Sequence, residues 1–343
     1  MPVLTTTEGR GDAPPFRRVF APGRVNLIGD HTDYMGGLVF PMAIDRGVSI
    51  TGTVGGSLVE VRSGRESTSA RLELPIDDPA SVSPPWARHL AGVAAEMDAT
   101  VGFTGELSSD LPVAGLSSSA AVQVAVALML GHPGPPLAVA ELCQAAEHRS
   151  IGVPCGIMDQ LTVAAGVAGH ALLIDCHSLE VAPVPVPEDV EVVIVHSGEH
   201  RELANSAYAA RRAECESAQQ VIGPLRLAPL DAVAGIDDAI LRARARHVVS
   251  ENQRVRDFAE ALAEGDYSEA GHQMVESHRS LGEDFEVSTP TLDTLVAELA
   301  AIPGVYGARL TGAGFGGAVV ALCRPGALDR GFLAIASAGA RVL

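Results

Sequence analysis

The densest group of chemically reactive side chains lies in residues 23–34, which read Gly-Arg-Val-Asn-Leu-Ile-Gly-Asp-His-Thr-Asp-Tyr. Within it, Arg24, Asp30, His31 and Asp33 supply a guanidinium, two carboxylates and an imidazole. Carboxylates that accept hydrogen bonds in pairs suit the neighbouring hydroxyls of a sugar. A metal site built from both acids and the histidine is an alternative, as are Asx turns closed by ion pairing with Arg24. We favour the sugar, because neighbours on one short loop rarely all converge on one ion.

A second candidate is the segment 112–121, Pro-Val-Ala-Gly-Leu-Ser-Ser-Ser-Ala-Ala, which precedes an Ala/Val-rich stretch. A loop of small residues at the start of a helix exposes N–H groups at the positive end of the helix dipole, which suits phosphate. The three adjacent hydroxyls of 117–119 add donors, and one of them is a candidate Mg²⁺ ligand. An ordinary serine N-cap would give the same pattern. The Gly-Lys-Ser/Thr ending of a Walker loop is missing.

A third candidate is the glycine-rich segment 309–317, Arg-Leu-Thr-Gly-Ala-Gly-Phe-Gly-Gly, between two stretches of strand composition. Glycine allows the backbone to approach a ligand closely. An irregular hairpin turn is the alternative interpretation.

The fourth candidate is a pair of acids, Glu147 and Asp159, which bracket a stretch containing glycine and proline. Glu147 lies near the end of a predicted helix and is by default a solvated surface acid. Asp159 lies among apolar residues, which predicts partial burial and a need for a partner, for which Arg24 is a candidate. An acid held in apolar surroundings is a common way to tune a catalytic group.

The elements that must position these groups follow from length and composition. The chain has 343 residues, of which 47% are hydrophobic and 19% charged, as in folded globular proteins. This length predicts about two domains, which we divide into 1–189 and 190–343, with the proline-containing segment Val181–Asp189 as a linker. Strands and helices are mixed without a regular βαβ order, which favours an α+β fold over a doubly wound one.

Local composition predicts the individual elements. A short strand is expected to end at Val19–Phe20, followed by a loop over 21–37, and further strands are expected at 38–53, 58–62, 103–109, 192–196, 305–310 and 318–323. Helices are expected at 86–97, 117–130, 137–149, 203–220, 240–264, 267–281 and 291–301.

Charge and cysteine content limit the partners and the compartment. The formal net charge is −18, and the chain contains no lysine, so its fixed side-chain cations are arginines. Such a surface disfavours nucleic acid and anionic membranes. The five cysteines are odd in number and form no Cys-x-x-Cys pair, which predicts a reducing compartment. With no signal sequence evident, we expect a soluble cytoplasmic protein.

The four motifs, in this order, resemble those of the galactokinase family, within the GHMP kinases. Residues 21–34 resemble the galactokinase signature, 115–120 the ATP loop of GHMP kinases, and 311–317 their third motif. Residues 154–160, Pro-Cys-Gly-Ile-Met-Asp-Gln, are similar to the segment that carries the catalytic aspartate. Further similarity at 201–212, 245–252 and 277–281 extends the resemblance over about residues 18–322.

The resemblance implies a two-lobed α+β fold with the active site in the cleft between lobes, and ATP-dependent phosphorylation of the C1 hydroxyl of galactose by a monomer. It implies that Asp159 and Arg24 are catalytic. The residues that it places against the sugar are Asp30, His31, Thr32, Asp33, Gly156 and Tyr208. Those that it places against ATP are Trp86, Val113, Ala114, Gly115, Leu116, Ser117, Ser118, Ser119, Gly312 and Gly314. It gives Ser119 and Glu147 to Mg²⁺.

Three residues depart from the family pattern, which are Asp30, Met35, where the signature has asparagine, and Ala313, where glycine is common. Several alternatives also stay open. The signature has glutamate at the position of Asp30, and the resemblance implies that this glutamate contacts the C6 hydroxyl of the sugar. The shorter side chain predicts relaxed selectivity at C6. Asp159 either abstracts the proton of the sugar hydroxyl or mainly orients that hydroxyl. The alternative functions are another GHMP sugar kinase, acting on an aminosugar or pentose, and a sugar- and ATP-sensing relative without turnover.

Overall fold

The structure is a computed structural model that describes residues 15–112, 115–199 and 204–343. Its strands, in chain order, are β1 (Phe16–Asn26), β2 (Leu38–Val39), β3 (Pro41–Val54), β4 (Leu58–Ser63), β5 (Ala70–Glu73), β6 (Phe103–Ser109), β7 (His170–Asp175), β8 (Glu180–Pro185), β9 (Glu191–His196), β10 (Val305–Thr311), β11 (Ala318–Cys323), β12 (Phe332–Leu333) and β13 (Arg341–Val342).

The helices follow the predicted segments closely. They are α1 (Arg88–Glu96), α2 (Ser118–Met129), α3 (Pro136–Ile151), α4 (Met158–Ala165), α5 (Ala204–Ile222), α6 (Ala239–Glu264), α7 (Tyr267–Glu283) and α8 (Pro290–Ala300). Short 3₁₀ turns occupy Asp33–Met35, Pro79–Ser81, Pro85–Ala87 and Leu230–Gly235. Helix α4 was not predicted, and it places Asp159 in its first turn.

The first sheet has the strand order β13-β1-β3-β6-β4-β5, and α2 and α4 pack against β1 and β3. The prediction that the first strand ends at Phe20 was wrong. The pairing of β1 with β3 shifts its register between Pro22 and Arg24, which accommodates the proline in the strand. Beyond this irregularity the pairing resumes, so β1 continues to Asn26. Arg24 therefore projects from a strand and not from a free loop.

A second sheet, β10-β11-β9-β12, separates two apolar cores. Along β9, Val192 and Ile194 join the larger core, while Val193 and Val195 join the smaller one. This alternation is the period of two of a strand, and it explains why every residue of β11 is buried. Helices α7 and α8 cover the side of the smaller core together with α6.

The predicted linker at Val181–Asp189 was wrong in its first half, because Glu180–Pro185 forms β8 and pairs antiparallel with β7. The third sheet has the order β2-β7-β8, so β8 is an edge strand. Proline removes only an outward-facing hydrogen-bond donor at an edge, which is why Pro183 and Pro185 are tolerated there.

The α+β class is therefore confirmed, with helices layered on largely antiparallel sheets. The division at residue 189 stays a prediction. The chain beyond residue 330 returns to the first sheet, where β13 pairs with β1 and Ala336 bridges to Ile44. In the part of the chain that the structure describes, none of the helices is both long and apolar enough to span a bilayer.

Candidate active site

A cavity of about 340 Å³ lies where the end of β1, the loop between β1 and β2, the start of α2, the end of α3, the start of α4 and the turn after β10 meet. All four sequence candidates contribute to its wall. The predicted site residues that line it are Arg24, Asp30, His31, Asp33, Gly115, Ser117, Ser118, Ser119, Glu147, Gly156, Asp159, Tyr208 and Gly312.

A two-point ion pair between Arg24 and Asp159 lies in this wall. The Arg24 Nε donates to Asp159 Oδ1 and its Nη2 to Oδ2, each at 2.7 Å, across 135 positions of sequence. The guanidinium is 6% exposed and the carboxylate 30% exposed, so the arginine is fixed while the acid faces the cavity. Such a bidentate pair has a defined orientation as well as strong charge-assisted hydrogen bonds.

The serine loop (residues 115–119) contacts that pair. The Arg24 Nη1 donates to the Gly115 carbonyl at 3.1 Å, and the Ser117 hydroxyl donates to Asp159 Oδ2. Ser117 has a left-handed φ of 57° and makes no side-chain cap to α2. The ordinary N-cap interpretation therefore does not hold for Ser117, and the first-turn N–H groups of α2 remain available to an anion in the cavity.

Two further carboxylates in the wall are protonated more readily than usual. Burial, and then the negative charge of Asp159, raise the pKa of Asp33 to about 7 and the pKa of Glu147 also to about 7. Asp33 lies against Gly156, where any Cβ would collide with its carboxylate. Glu147 accepts a hydrogen bond from the Gln160 amide at 3.1 Å. The cavity thus holds Asp33, Glu147 and Asp159 close together, and among these three acids Asp159 is ion-paired with Arg24.

His31 is held as a neutral imidazole on the loop between β1 and β2. Burial lowers its pKa to about 3. Its Nε2 lies 3.2 Å from the carbonyl of Ala313, so Nε2 carries the proton and Nδ1, at 3.1 Å from the Tyr34 hydroxyl, accepts. The ring also packs against Tyr208 and Phe285, with centroid separations of 5.5 and 4.8 Å.

Asp30 is the most deeply buried acid of the cavity wall. Its Oδ1 accepts from the Gly312 N–H at 3.1 Å, and its Oδ2 lies 2.7 Å from Nη1 of the fully buried Arg309. Burial raises the pKa of Asp30, and Arg309 acts against that rise. The carboxylate is thus oriented by groups of the third motif, from the far end of the chain.

A second buried ion pair supports the same loop. Glu251 on α6 accepts from the Gly29 N–H at 3.0 Å and from the Arg254 Nε at 2.6 Å. Although burial acts to raise it, the charge of Arg254 holds the pKa of Glu251 at about 2. We call Asp30, Arg309, Glu251 and Arg254 the buried network.

The structure does not bring some predicted residues to this cavity. The Thr32 hydroxyl lies within hydrogen-bond distance of the Gly29 and Leu38 carbonyls, where it holds the loop together. The Trp86 indole donates to the Thr68 carbonyl, and Leu116 is buried in the core. Gly314 packs against the backbone of Val287. Val113 and Ala114, like 201–203 of the resemblance, lie outside the described residues.

Several residues that shape the site have no role predicted from the sequence. Arg309 stands out in the sequence only as the start of a glycine-rich motif, although an arginine inside a buried strand requires a carboxylate partner. The Glu251 and Arg254 pair has the i, i+3 spacing of a helix ion pair, which could have identified it. Gln160 directly follows the predicted catalytic aspartate, and it also lines the cavity.

The donor set fits a magnesium ion held jointly with a ligand. Among the described residues, no cluster of three or more histidine, cysteine or acidic side chains could hold a metal. Ser119 and Glu147 nevertheless line one cavity, and burial together with the charge of Asp159 raises the pKa of Glu147 in the absence of an ion pair with any described residue. Mg²⁺ commonly takes one or two protein carboxylates and completes its shell with phosphate and water.

Comparison with protein families gives three matches along the chain. The galactokinase galactose-binding signature matches residues 8–53, the N-terminal domain of GHMP kinases matches 87–167, and their C-terminal domain matches 258–341. The first match contains the loop between β1 and β2, and the second contains the serine loop and Asp159.

Individual relatives agree with these families. A galactokinase from Bos taurus is 42% identical over 340 residues, which cover 93% of this chain and 86% of that protein. A galactokinase from Chloroflexus aggregans is 43% identical over 350 residues, covering 95% and 88%. The crystal structure of Lactococcus lactis galactokinase complexed with galactose superposes with a TM-score of 0.89 at 30% identity, over 97% of each chain. Methanococcus jannaschii mevalonate kinase, at 21% identity and a TM-score of 0.69 over 96% of this chain and 100% of that one, shares the fold.

Proposed function

We infer the function of this chain from the fact that it belongs to the galactokinase family of the GHMP kinases. It is an enzyme that phosphorylates galactose with ATP. The predicted family, fold and activity are confirmed, and the alternatives of another sugar kinase or a sensor without turnover are not favoured. The roles that the described residues play in this reaction are our proposal.

We propose that the C1 hydroxyl of galactose lies beside Asp159 and attacks the γ-phosphorus of ATP. The new O–P bond forms as the bond between the γ-phosphorus and the β,γ-bridging oxygen breaks, so ADP leaves. Asp159 accepts the hydroxyl proton or holds it in line until transfer is advanced. Arg24 keeps the carboxylate in place through two hydrogen bonds, and its charge stabilises the negative charge of the transferring group.

We propose that the N-terminus of α2 binds the phosphates of ATP. Ser118 and Ser119 line the cavity, and the first-turn N–H groups are not capped by Ser117. Backbone donors at a helix start hold phosphate without bringing extra charge. Gly312, whose N–H binds Asp30, lies in the same wall. Contacts of Trp86, Val113, Ala114, Leu116 and Gly314 with the nucleotide stay predictions.

We propose that Asp33, Asp30, His31, Gly156 and Tyr208 form the galactose side of the cavity. Asp33 accepts hydrogen bonds from a pair of sugar hydroxyls when ionised. The neutral His31 adds a hydrogen-bonding ring without a competing charge, since burial keeps its pKa near 3. The glycine at 156 leaves the room beside Asp33 that a side chain would fill. A contact of Thr32 with the sugar stays a prediction.

We propose that Ser119 and Glu147 hold Mg²⁺ together with the phosphates of ATP. When bound, the ion supplies charge neutralisation for the triphosphate. Glu147 must be ionised for this role, and its raised pKa favours the protonated acid until a cation arrives. Gln160 keeps Glu147 oriented through its amide.

The single observation that carries this proposal is the contact of the Arg24–Asp159 pair with the serine loop, through Gly115 and Ser117. The test is a coupled assay of ADP release across common monosaccharides. We expect turnover with galactose and none with methyl α-galactoside, whose C1 oxygen carries no proton. ADP release with the methyl glycoside at a rate near that of galactose would overturn the C1 assignment.

We also propose that the protein works in the cytoplasm. ATP is its co-substrate, and all five cysteines are unpaired, with Cys143, Cys215 and Cys323 buried. Growth of a galactose-dependent host with the chain expressed without an export signal tests this location. The monomeric state stays a prediction, which size-exclusion chromatography with light scattering measures.

A further inference from the structure

A second cavity, of about 530 Å³, lies between one face of α6 and the segment 226–230 that follows α5. The face of α6 repeats at helical spacing through Val249, Gln253, Arg256 and Asp257. This cavity shares no lining residue with the candidate active site. We call it the arginine cavity, because Arg226, Arg254 and Arg256 all contribute to its wall.

Two of these arginines have N–H groups that find no acceptor among the described residues. They are the Nε of Arg226 and the Nη2 of Arg254, both buried. A buried cationic donor without an acceptor carries a desolvation cost that an added acceptor removes. The third arginine, Arg256, is exposed and donates to the Asn252 carbonyl, but it forms no ion pair with any described residue.

The carboxylates around the cavity are already engaged. Arg226 Nη2 binds Asp175 at 2.7 Å, Arg254 Nε binds Glu251 at 2.6 Å, and Asp257 accepts from the Gln253 amide at 2.7 Å. Each ion pair leaves other N–H groups of its arginine free, because a guanidinium has five donors. Three guanidiniums thus contribute donors to the wall of one cavity, in a chain whose formal net charge is −18.

Part of the cavity wall is apolar and exposed. Leu227 is 71% exposed and Leu230 is 57% exposed, with Pro229 between them. Arginine donors and exposed apolar side chains in one cavity wall suit a small molecule that has one strongly anionic group and an organic part. We propose that the arginine cavity binds a phosphate group of a small molecule.

Phosphate fits this donor set better than a carboxylate. A phosphate monoester presents three oxygens in a tetrahedral arrangement, and guanidiniums from two separate segments can bind different oxygens at once. Two sources have this chemistry, which are free inorganic phosphate and a phosphorylated sugar such as the product of the reaction.

The arginine cavity is connected to the loop between β1 and β2 by its own wall residues. Arg254 holds Glu251, which accepts from the Gly29 N–H. Asn252 accepts from the Leu38 N–H at 2.7 Å, at the other end of the same loop. An anion that binds Arg254 would therefore alter the contact between Glu251 and a loop that we place against galactose. This consequence for sugar affinity rests on the proposed function, whereas binding of the anion does not.

The test is calorimetric titration of the full chain with sodium phosphate at constant ionic strength. Galactose and MgADP are kept saturating, so that anion positions in the candidate active site are filled. We expect saturable binding that Arg256→Gln weakens at least tenfold, while Arg62→Gln, which removes another exposed arginine without an ion pair among the described residues, leaves it unchanged. Both variants should melt at the wild-type temperature, which separates lost binding from lost folding.

A second titration uses galactose 1-phosphate in place of inorganic phosphate, with galactose saturating and MgADP left out, because MgADP and galactose 1-phosphate are together the substrates of the reverse reaction. Tighter binding of the sugar phosphate, lost in Arg256→Gln, supports the proposal with a phosphosugar as the source, and equal binding supports it with free phosphate. No saturable heat for either compound, or equal affinity in wild type and Arg256→Gln, would overturn the proposal. The kinase assay on the same wild-type preparation reports separately on the proposed function.

Discussion

Three acids differ in their cationic partners, namely Glu251 of the buried network and Asp33 and Glu147 of the cavity. In the buried network, Arg254 holds Glu251 ionised with a pKa of about 2. In the cavity, neither Asp33 nor Glu147 forms an ion pair with a described residue, and burial together with the charge of Asp159 raises each pKa to about 7. Among these three acids, the one in direct contact with a guanidinium is held ionised, and the other two are protonated more readily.

This difference distinguishes the acids that stabilise the site from the acids that bind its ligands. Removing one partner of a buried ion pair leaves an uncompensated charge, so the network stabilises the position of the loop between β1 and β2, whose Gly29 N–H binds Glu251. The acids of the cavity that form no ion pair with a described residue can instead bind a cation or accept hydrogen bonds, and Mg²⁺ and sugar hydroxyls are such ligands. Asp159, paired with Arg24 yet 30% exposed, lies between these cases.

The largest effect is expected for Asp159→Asn. The amide keeps the size of the side chain and one acceptor for Arg24, but it cannot take a proton. We expect kcat to fall by roughly 10³-fold, within the range of a general base, while calorimetry gives nearly unchanged affinity for galactose and ATP.

The matched control for this substitution is Asp329→Asn, at an exposed position away from the cavity. It should retain wild-type kcat. Full activity of Asp159→Asn would refute the catalytic assignment, and loss of galactose affinity equal to the loss of kcat would make Asp159 a binding group only.

The next comparison is between two glutamates changed in the same way. Glu251→Gln leaves Arg254 buried without its counter-ion and should cost about 3–5 kcal/mol of unfolding free energy. At pH 7.5 burial disfavours the ionised form of Glu147, so its replacement by a neutral amide should leave the free energy of unfolding unchanged or raise it. Urea denaturation of the ligand-free proteins at pH 7.5 measures both, and equal costs would contradict the difference between paired and unpaired acids.

Binding of MgATP should release protons through Glu147. With a pKa of about 7, Glu147 is largely protonated at pH 6.5, and a nearby cation lowers that pKa. We expect release of roughly 0.7 proton per site at that pH. Calorimetry in buffers of different ionisation enthalpy measures it, and Glu147→Gln should abolish it.

The same raised pKa values set the sign of the stability change with pH. Because Asp33 and Glu147 hold protons more tightly in the folded state, their contribution is fully present below pH about 4 and is lost as pH rises through about 7. Glu251 acts oppositely, since its contribution is lost as pH falls from about 4.5 towards 2. A Glu147→Gln variant with the wild-type slope between pH 5 and 7 would argue against this role of Glu147.

The smallest effect is expected for Asp30→Glu, which restores the glutamate of the family signature. Arg309 and the Gly312 N–H hold the shorter carboxylate of Asp30 in the wall, so a hydroxyl at C6 of the sugar gains little from it. We expect the glutamate to raise the preference for galactose over 6-deoxygalactose by up to about tenfold, the value of one hydrogen bond. Ratios of kcat/KM for the two sugars measure this preference, and equal ratios in the two proteins would show that Asp30 does not relax selectivity at C6.

Much of the site could be predicted where the types of neighbouring residues determine the local structure. The helix start at Ser117 follows from small and hydroxyl residues before an apolar stretch, and the structure begins α2 at Ser118. The expectation that Asp159 needs a partner, with Arg24 as candidate, followed from its apolar neighbours and is confirmed by their two hydrogen bonds.

Other features could not be predicted because they depend on position in the fold. The prolines of β8 suggested a linker, and only its place at the edge of a sheet makes them compatible with a strand. Thr32 belongs to the densest reactive segment, yet its hydroxyl contacts backbone carbonyls. The ion pair between Arg309 and Asp30 connects two residues that lie near opposite ends of the sequence.

The sequence by itself determined the set of reactive groups, the periodic elements that carry them and the family to which they belong. Those properties depend on side-chain chemistry and on neighbours a few positions away. The tertiary structure alone decided which acid receives a guanidinium and which remains unpaired. Charge interaction and desolvation depend on distance in space and on burial, and the partners Asp30 and Arg309 lie near opposite ends of the sequence.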